Sequence, residues 1–152
     1  MQPSNIITLT TDFGLADSYV GIMKGVILGI ARQATIIDIS HDIAPQNIHQ
    51  ATYIIQTFGD YFPPGTIHVV VVDPGVGSNR RRIILATPAA TYVAPDNGVL
   101  TNVWHDAIKR WGIEQCVIYE LTEPRYWLPN VSNTFHGRDV FAPVAAHLAQ
   151  GI

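Results

Sequence analysis

Val69-Val70-Val71-Val72-Asp73-Pro74-Gly75-Val76-Gly77-Ser78-Asn79-Arg80 runs four β-branched residues into a carboxylate, a Pro-Gly-x-Gly turn and a basic cluster. The four valines lack the apolar–polar alternation of a half-exposed strand. They read as a strand buried on both faces, as in a parallel sheet. Pro74, Gly75 and Gly77 stop that strand and let the backbone approach another group closely. Asp73 therefore stands at the carboxyl edge of a central strand, where open α/β sheets hold their ligands. A chain reversal then lets Arg80 swing back toward it.

The flanking sequence supplies the rest of such a sheet. Strands are predicted over Ile6 to Thr10, Thr35 to Ile39, Ile67 to Val72, Arg82 to Ala86, Thr91 to Ala94 and Val117 to Leu121. Helical spacing of apolar residues marks Tyr19 to Ile30, with Asp17 or Ser18 as its N-cap, and Asn47 to Phe58. Further helices are expected over Val99 to Arg110 and Asp139 to Ala149, where Pro143 is tolerable in the first turn. Asp96-Asn97-Gly98 is a tight turn. Alternating strands and helices predict an α/β domain with a mostly parallel central sheet between helices.

The 152 residues suffice for one core, so a single domain over 1–152 is the expectation. The net charge of −3, with no basic run longer than Arg80-Arg81-Arg82, gives no footprint for nucleic acid. Apolar residues reach 47 % and charged residues only 14 %, a balance that suits association with another surface. Charges and prolines interrupt every apolar run short of a membrane span. Met1 to Asn5 has neither a charged leader nor a cleavage site, and the single cysteine, Cys116, excludes an internal disulfide. A cytoplasmic setting follows as an expectation, with Cys116 as a small core residue. Ala149-Gln150-Gly151-Ile152 stops at a helix-terminating glycine, a place where a linker to another domain could begin.

Three loops gather the chemistry. Asp12, after the first strand, suits a ribose diol or caps the next helix. Asp73 and Arg80 form a ligand site or an ordinary turn ion pair. His136, in Asn133-Thr134-Phe135-His136-Gly137-Arg138-Asp139, precedes a helix and has charged neighbours. Asp73, Arg80 and His136 together can orient one water or hydroxide. A divalent metal held by Asp12, Asp73, Asp139 and His136 is the rival use of the same groups. Neither phosphate-binding nor dinucleotide-binding glycine loops are present. His41, His49, His68, His105 and His147 lack ligand spacing and read as surface or core residues, and Trp104, Trp111 and Trp127 as core or interface.

Taken in order, Thr10-Thr11-Asp12-Phe13-Gly14 with Asp17-Ser18-Tyr19-Val20, the Asp73-to-Arg80 turn, Ala94-Pro95-Asp96-Asn97-Gly98 and Thr134-Phe135-His136-Gly137-Arg138-Asp139 resemble the S-adenosylmethionine (SAM) hydrolases that form adenosine. These are also called SAM hydroxide adenosyltransferases and are related to the SAM-dependent fluorinase and chlorinase. The resemblance implies a Rossmann-like three-layer domain and attack of water or hydroxide at C5′ of SAM, releasing adenosine and methionine. SAM is then the substrate, with no separate cofactor and no metal. It implies that Asp73, Arg80 and His136 position the nucleophile and that Asp12 holds the ribose diol. Thr134 and Phe135 would line the pocket, and Gln46 would flank it. Halogenating relatives place other residues at the aspartate and histidine positions. The fluorinase also carries a long insertion where only Thr87-Pro88-Ala89-Ala90 stands here. The resemblance also implies a homotrimer and a smaller β-rich C-terminal domain, and the expectation is that residues 1–152 form the N-terminal catalytic domain without it. The alternatives are a metal-dependent hydrolase and a non-catalytic nucleoside-binding domain.

Overall fold

The computed structural model describes residues 2–152. Six strands form one sheet: β1 (Ile6–Thr11), β2 (Thr35–Ser40), β3 (Thr66–Val71), β4 (Arg82–Ala86), β5 (Ala90–Pro95) and β6 (Val117–Glu120), in the spatial order β2-β1-β3-β5-β4-β6. β2, β1, β3 and β5 are parallel, and β4 pairs antiparallel with both β5 and β6. The helices are α1 (Tyr19–Ile30), α2 (Ile48–Phe58), α3 (Thr101–Trp111) and α4 (Ala142–Ala149).

The period of two along a strand divides the core into two layers. Ile7, Leu9, Val69 and Val71 face α1 and α4, meeting Met23, Ile27, Phe141 and Ala145. Val70 and Val72 face α2 and α3, meeting Ala51, Ile55 and Val103. Every residue of β3 is buried, as a central strand covered on both faces requires. The result is a three-layer α/β domain with a mostly parallel sheet, as the sequence predicts.

Local details differ. Ser18 occupies the N-cap of α1 but makes no side-chain cap bond, so the helix starts without the expected side-chain acceptor. Asn47 does cap α2, accepting from the Gln50 amide at 2.9 Å. The last helix is interrupted: Gly137–Phe141 forms a π-helical turn, and regular α-helix begins only at Ala142. Wide turns of this kind concentrate at functional sites, because they re-aim side chains out of the helical register. β6 is an exposed edge strand although its sequence is apolar, while Cys116 just before it is buried and its thiol is pushed up by desolvation.

His68 lies wholly inside the second layer, its ring against Phe58, Phe62 and Tyr92, with Nδ1 2.7 Å from the Thr8 hydroxyl. Burial disfavours the imidazolium and lowers its pKa to about 4. The folded state therefore binds fewer protons than the unfolded one between pH ~6.5 and ~4. His68 contributes fully to stability above that window and loses its contribution as the pH falls through it, by about 3 kcal/mol in all. Urea unfolding at pH 7 and pH 4 should show a drop of at least this size, and His68→Leu should shrink the drop by the same amount.

Candidate active site

The sheet order brings the polar loops to one edge. β1 and β3 are adjacent and parallel, with Thr11 opposite Val71, so Asp12 and Asp73 leave neighbouring strands at the same end. The chain from β1 turns through α1 to β2 on one side, while β3 lies on the other. The two loops therefore flank the crevice where an open sheet changes direction. β4 runs against β5, with Arg82 opposite Pro95. Its entering residues, Arg80 and Arg81, thus arrive at the carboxyl edge of the parallel strands.

After β3 the chain folds back in consecutive turns, Val76 N–H donating to the Asp73 carbonyl at 3.1 Å and Ser78 N–H to the Gly75 carbonyl at 3.0 Å. That reversal aims Arg80 at Asp73. Nε donates to Oδ1 at 2.8 Å, and Nη2 donates to Oδ2, a bidentate fork. Nη2 also donates to His136 Nδ1 at 2.9 Å. The Arg80 and Asp73 side chains are only 9 % and 5 % exposed. Arg80 thus touches both Asp73 and His136, the latter from a segment 56 positions away in sequence.

This contact fixes the state of the histidine. Guanidinium nitrogen only donates, so Nδ1 must offer its lone pair and the ring proton of a neutral His136 resides on Nε2. Desolvation and the Arg80 charge both hold the His136 pKa below its usual value. The ring is therefore a neutral Nε2–H donor at physiological pH. The positive charge of Arg80, in turn, is matched by Asp73 within the fork.

His136 is aimed by its own loop. Asp139, fully buried, accepts from the Ser132 amide at 2.8 Å and the Ser132 hydroxyl at 2.7 Å, and Arg138 Nε donates to its other oxygen at 2.6 Å. Burial alone would raise the Asp139 pKa, but these donors outweigh it and the carboxyl is held below its usual value. Asp139 is thus a clip for the 132–139 loop and not a metal ligand, which corrects its place in the metal alternative. Among the described residues no group of three or more His, Cys, Asp or Glu side chains is arranged to hold a metal ion.

Glycines seal the contacts between loops. At Gly77, with φ +78°, an added Cβ would meet the Asn133 carbonyl oxygen at 2.3 Å. The Asp73 turn and the His136 loop therefore touch backbone to backbone. At Gly137 a Cβ would crowd Met23, Phe135 and Phe13 at 3.3 to 3.4 Å.

Asp12 does not cap α1. Its Oδ2 accepts from the Gln46 amide at 2.8 Å, and Gln46 holds a left-handed φ of +63°. The carboxylate is thus tied to the loop after β2, and Gln46 flanks it through its backbone. Phe135 is buried edge-on to Phe13 and Tyr19, with ring centroids 5.6 and 5.2 Å away, while Thr134 is exposed on the same loop. Asn97, read from the sequence as part of a tight turn and of one resemblance motif, has a role the sequence did not show: its side-chain amide donates to the Val72 carbonyl at 2.9 Å and fixes the backbone just before Asp73. Its place beside a turn glycine looks like turn chemistry alone.

Gly77→Ala combines a left-handed backbone with a carbonyl clash, so it should destabilise by about 2 kcal/mol or more. Gly14→Ala, where φ is +67° but the space is open, should cost about 1 kcal/mol. Thermal or urea unfolding of the two variants separates the clash from backbone strain.

Similarity to known proteins bears on this geometry. The chain is 48 % identical over 149 residues to the (R)-S-adenosyl-L-methionine hydrolase of Methanocaldococcus jannaschii, covering 95 % of this chain and 53 % of that protein. It is 28 % identical over 169 residues to the fluorinase of Nocardia brasiliensis, covering 96 % of this chain and 54 % of that one. That alignment is longer than this chain, so the fluorinase carries additional residues within the matched region. A crystal structure of a conserved protein from Thermotoga maritima superposes with a TM-score of 0.88 at 44 % identity, over 96 % of this chain and 55 % of that one. The chain spans about half the length of the curated relatives it matches. Residues 7–152 match the SAM hydroxide adenosyltransferase N-terminal domain, and the chain belongs to that family.

Proposed function

We propose that this chain carries the nucleophile-positioning half of a SAM hydrolase, acting on the (R)-sulfonium epimer named for its curated relatives and releasing adenosine and L-methionine. The observation that supports this most is the buried Asp73–Arg80–His136 contact beside Asp12 at the switch point of the sheet. In this reading the oxygen of a water bonds to C5′ while the C5′–S bond breaks, its electron pair leaving on the methionine sulfur. The sulfonium is cationic, so the leaving group needs no proton. Catalysis then reduces to orienting water and stripping its solvent.

His136 Nε2–H and the Arg80–Asp73 fork hold the water, and the Asp73 carboxylate takes up its proton. Because Arg80 is already matched by Asp73, this is a positioning device more than a pocket for free hydroxide. Asp12 accepts the ribose hydroxyls, with Gln46, Thr134 and Phe135 around them. The reading includes a cytoplasmic homotrimer whose remaining contacts come from a C-terminal domain. Support for association is the set of exposed apolar residues, among them Leu15, Tyr19 and Tyr53. No helix among the described residues is long and apolar enough to cross a membrane.

Turnover of the (R) and (S) epimers in ¹⁸O-water by the full chain tests the chemistry. Adenosine carrying ¹⁸O at its 5′-hydroxyl, formed faster from the (R) epimer, is expected. Binding of SAM or adenosine without turnover would favour a non-catalytic domain instead. Asp73→Asn should lower kcat by about 10²-fold or more, since it removes the proton acceptor and half of the fork. Activity should require neutral His136. It should therefore hold as the pH falls past 6.5 and fail only below the depressed His136 pKa, which a kcat/KM profile reads directly.

A further inference from the structure

One polar chain, running from two buried residues out to the surface, is not used by the arrangement above. His41, 4 % exposed, places Nδ1 2.7 Å from the Thr11 hydroxyl and Nε2 2.7 Å from Asp38 Oδ1. Lys24 from α1 donates to the other Asp38 oxygen at 2.6 Å. The pattern has the outline of a hydroxyl–imidazole–carboxylate triad, but Thr11 is wholly buried and its oxygen accepts from the Phe13 amide at 3.2 Å. It is no nucleophile.

Asp38 only accepts, so His41 Nε2 donates to it; in the neutral ring Nδ1 then accepts, and the Thr11 hydroxyl donates to it. The Thr11 oxygen is thereby left free to accept from Phe13. The same histidine's carbonyl accepts from the Gly14 amide at 2.7 Å. His41 thus grips the residue before Asp12 and, through Phe13 and Gly14, the two after it. Five positions along the same loop, the Gln46 amide holds the Asp12 carboxylate itself.

We propose that His41 is a positioning residue for Asp12, setting the ribose end of the site through Thr11 and Gly14 under the direction of Asp38 and Lys24. This rests on the functional reading above but acts on a different step. The Asp73 fork orients the nucleophile, whereas His41 orients the group that binds the ribose. Its loss therefore weakens substrate binding more than it slows the chemistry. Other buried histidines do not share this arrangement: His68 faces aromatic rings on the opposite layer.

The test uses the full chain with His41→Leu, His41→Asn and Asp38→Asn. His41→Leu should raise KM by about tenfold with kcat changed much less, the size expected for misplacing one buried hydrogen-bonding group. His41→Asn keeps an acceptor near the position of Nδ1 and should recover much of that loss. Asp38→Asn alters an exposed partner and leaves the packed core untouched. It should move the Gln46 amide resonance and raise KM severalfold. In the wild type, ¹⁵N spectra should show the His41 proton on Nε2. A ring proton on Nδ1, or folded variants with unchanged KM and an unmoved Gln46 amide, would overturn the proposal. If the wild type forms no adenosine, the functional reading falls alone, and the Gln46 resonance still decides whether His41 positions Asp12.

Discussion

A carboxylate and a guanidinium this deeply buried must be paired, and the site is organised around that requirement. Leaving either Asp73 or Arg80 alone in the interior would cost about 3–5 kcal/mol, far more than an exposed pair contributes. The Arg80 fork also donates to His136, so the same pairing that relieves the burial penalty selects the histidine tautomer. The turn from Asp73 to Arg80 must be tight enough to bring the fork round. That need accounts for the glycine with left-handed φ at Gly77 and its contact with Asn133.

Around this pair the supporting groups each hold backbone. Asn97 holds the carbonyl before Asp73, Asp139 holds the loop that carries His136, and His41 holds the strand end that carries Asp12. Groups that approach a reacting centre work best when their own supports are rigid. Here the supports sit on strand ends and helix starts, where movement would break hydrogen bonds that burial makes costly. The π-helical turn fits the same logic. It stands directly after His136 and carries both Asp139 and the Phe141 ring, 5.8 Å from the Arg80 guanidinium.

Much of this was legible in the sequence. The valine run, the helical spacing of α1 and α2 and the alternation of elements specify a buried central strand and a mostly parallel sheet. Hydrophobic periodicity reports burial directly, so these elements match. Asp73 with Arg80 was readable because a seven-residue turn keeps them close whatever the rest of the chain does. His136 was readable only as a candidate, since its contact with Arg80 spans 56 positions. Asp139 was misread. Its residue type suits a metal, and only the donors from Ser132 and Arg138 show that its lone pairs are occupied.

The sequence alone determined the layers, the strand that carries Asp73 and the turn that returns Arg80, because each depends on burial period or short-range chain geometry. Tertiary structure decided which carboxylate binds what. Asp12 turned away from helix capping toward Gln46, Asp139 became a clip, and His41 became a support for the loop that carries Asp12. Those outcomes depend on which donors arrive from distant strands. Strand order, with β1 beside β3 and β4 reversed, sets that, and local pattern does not encode it.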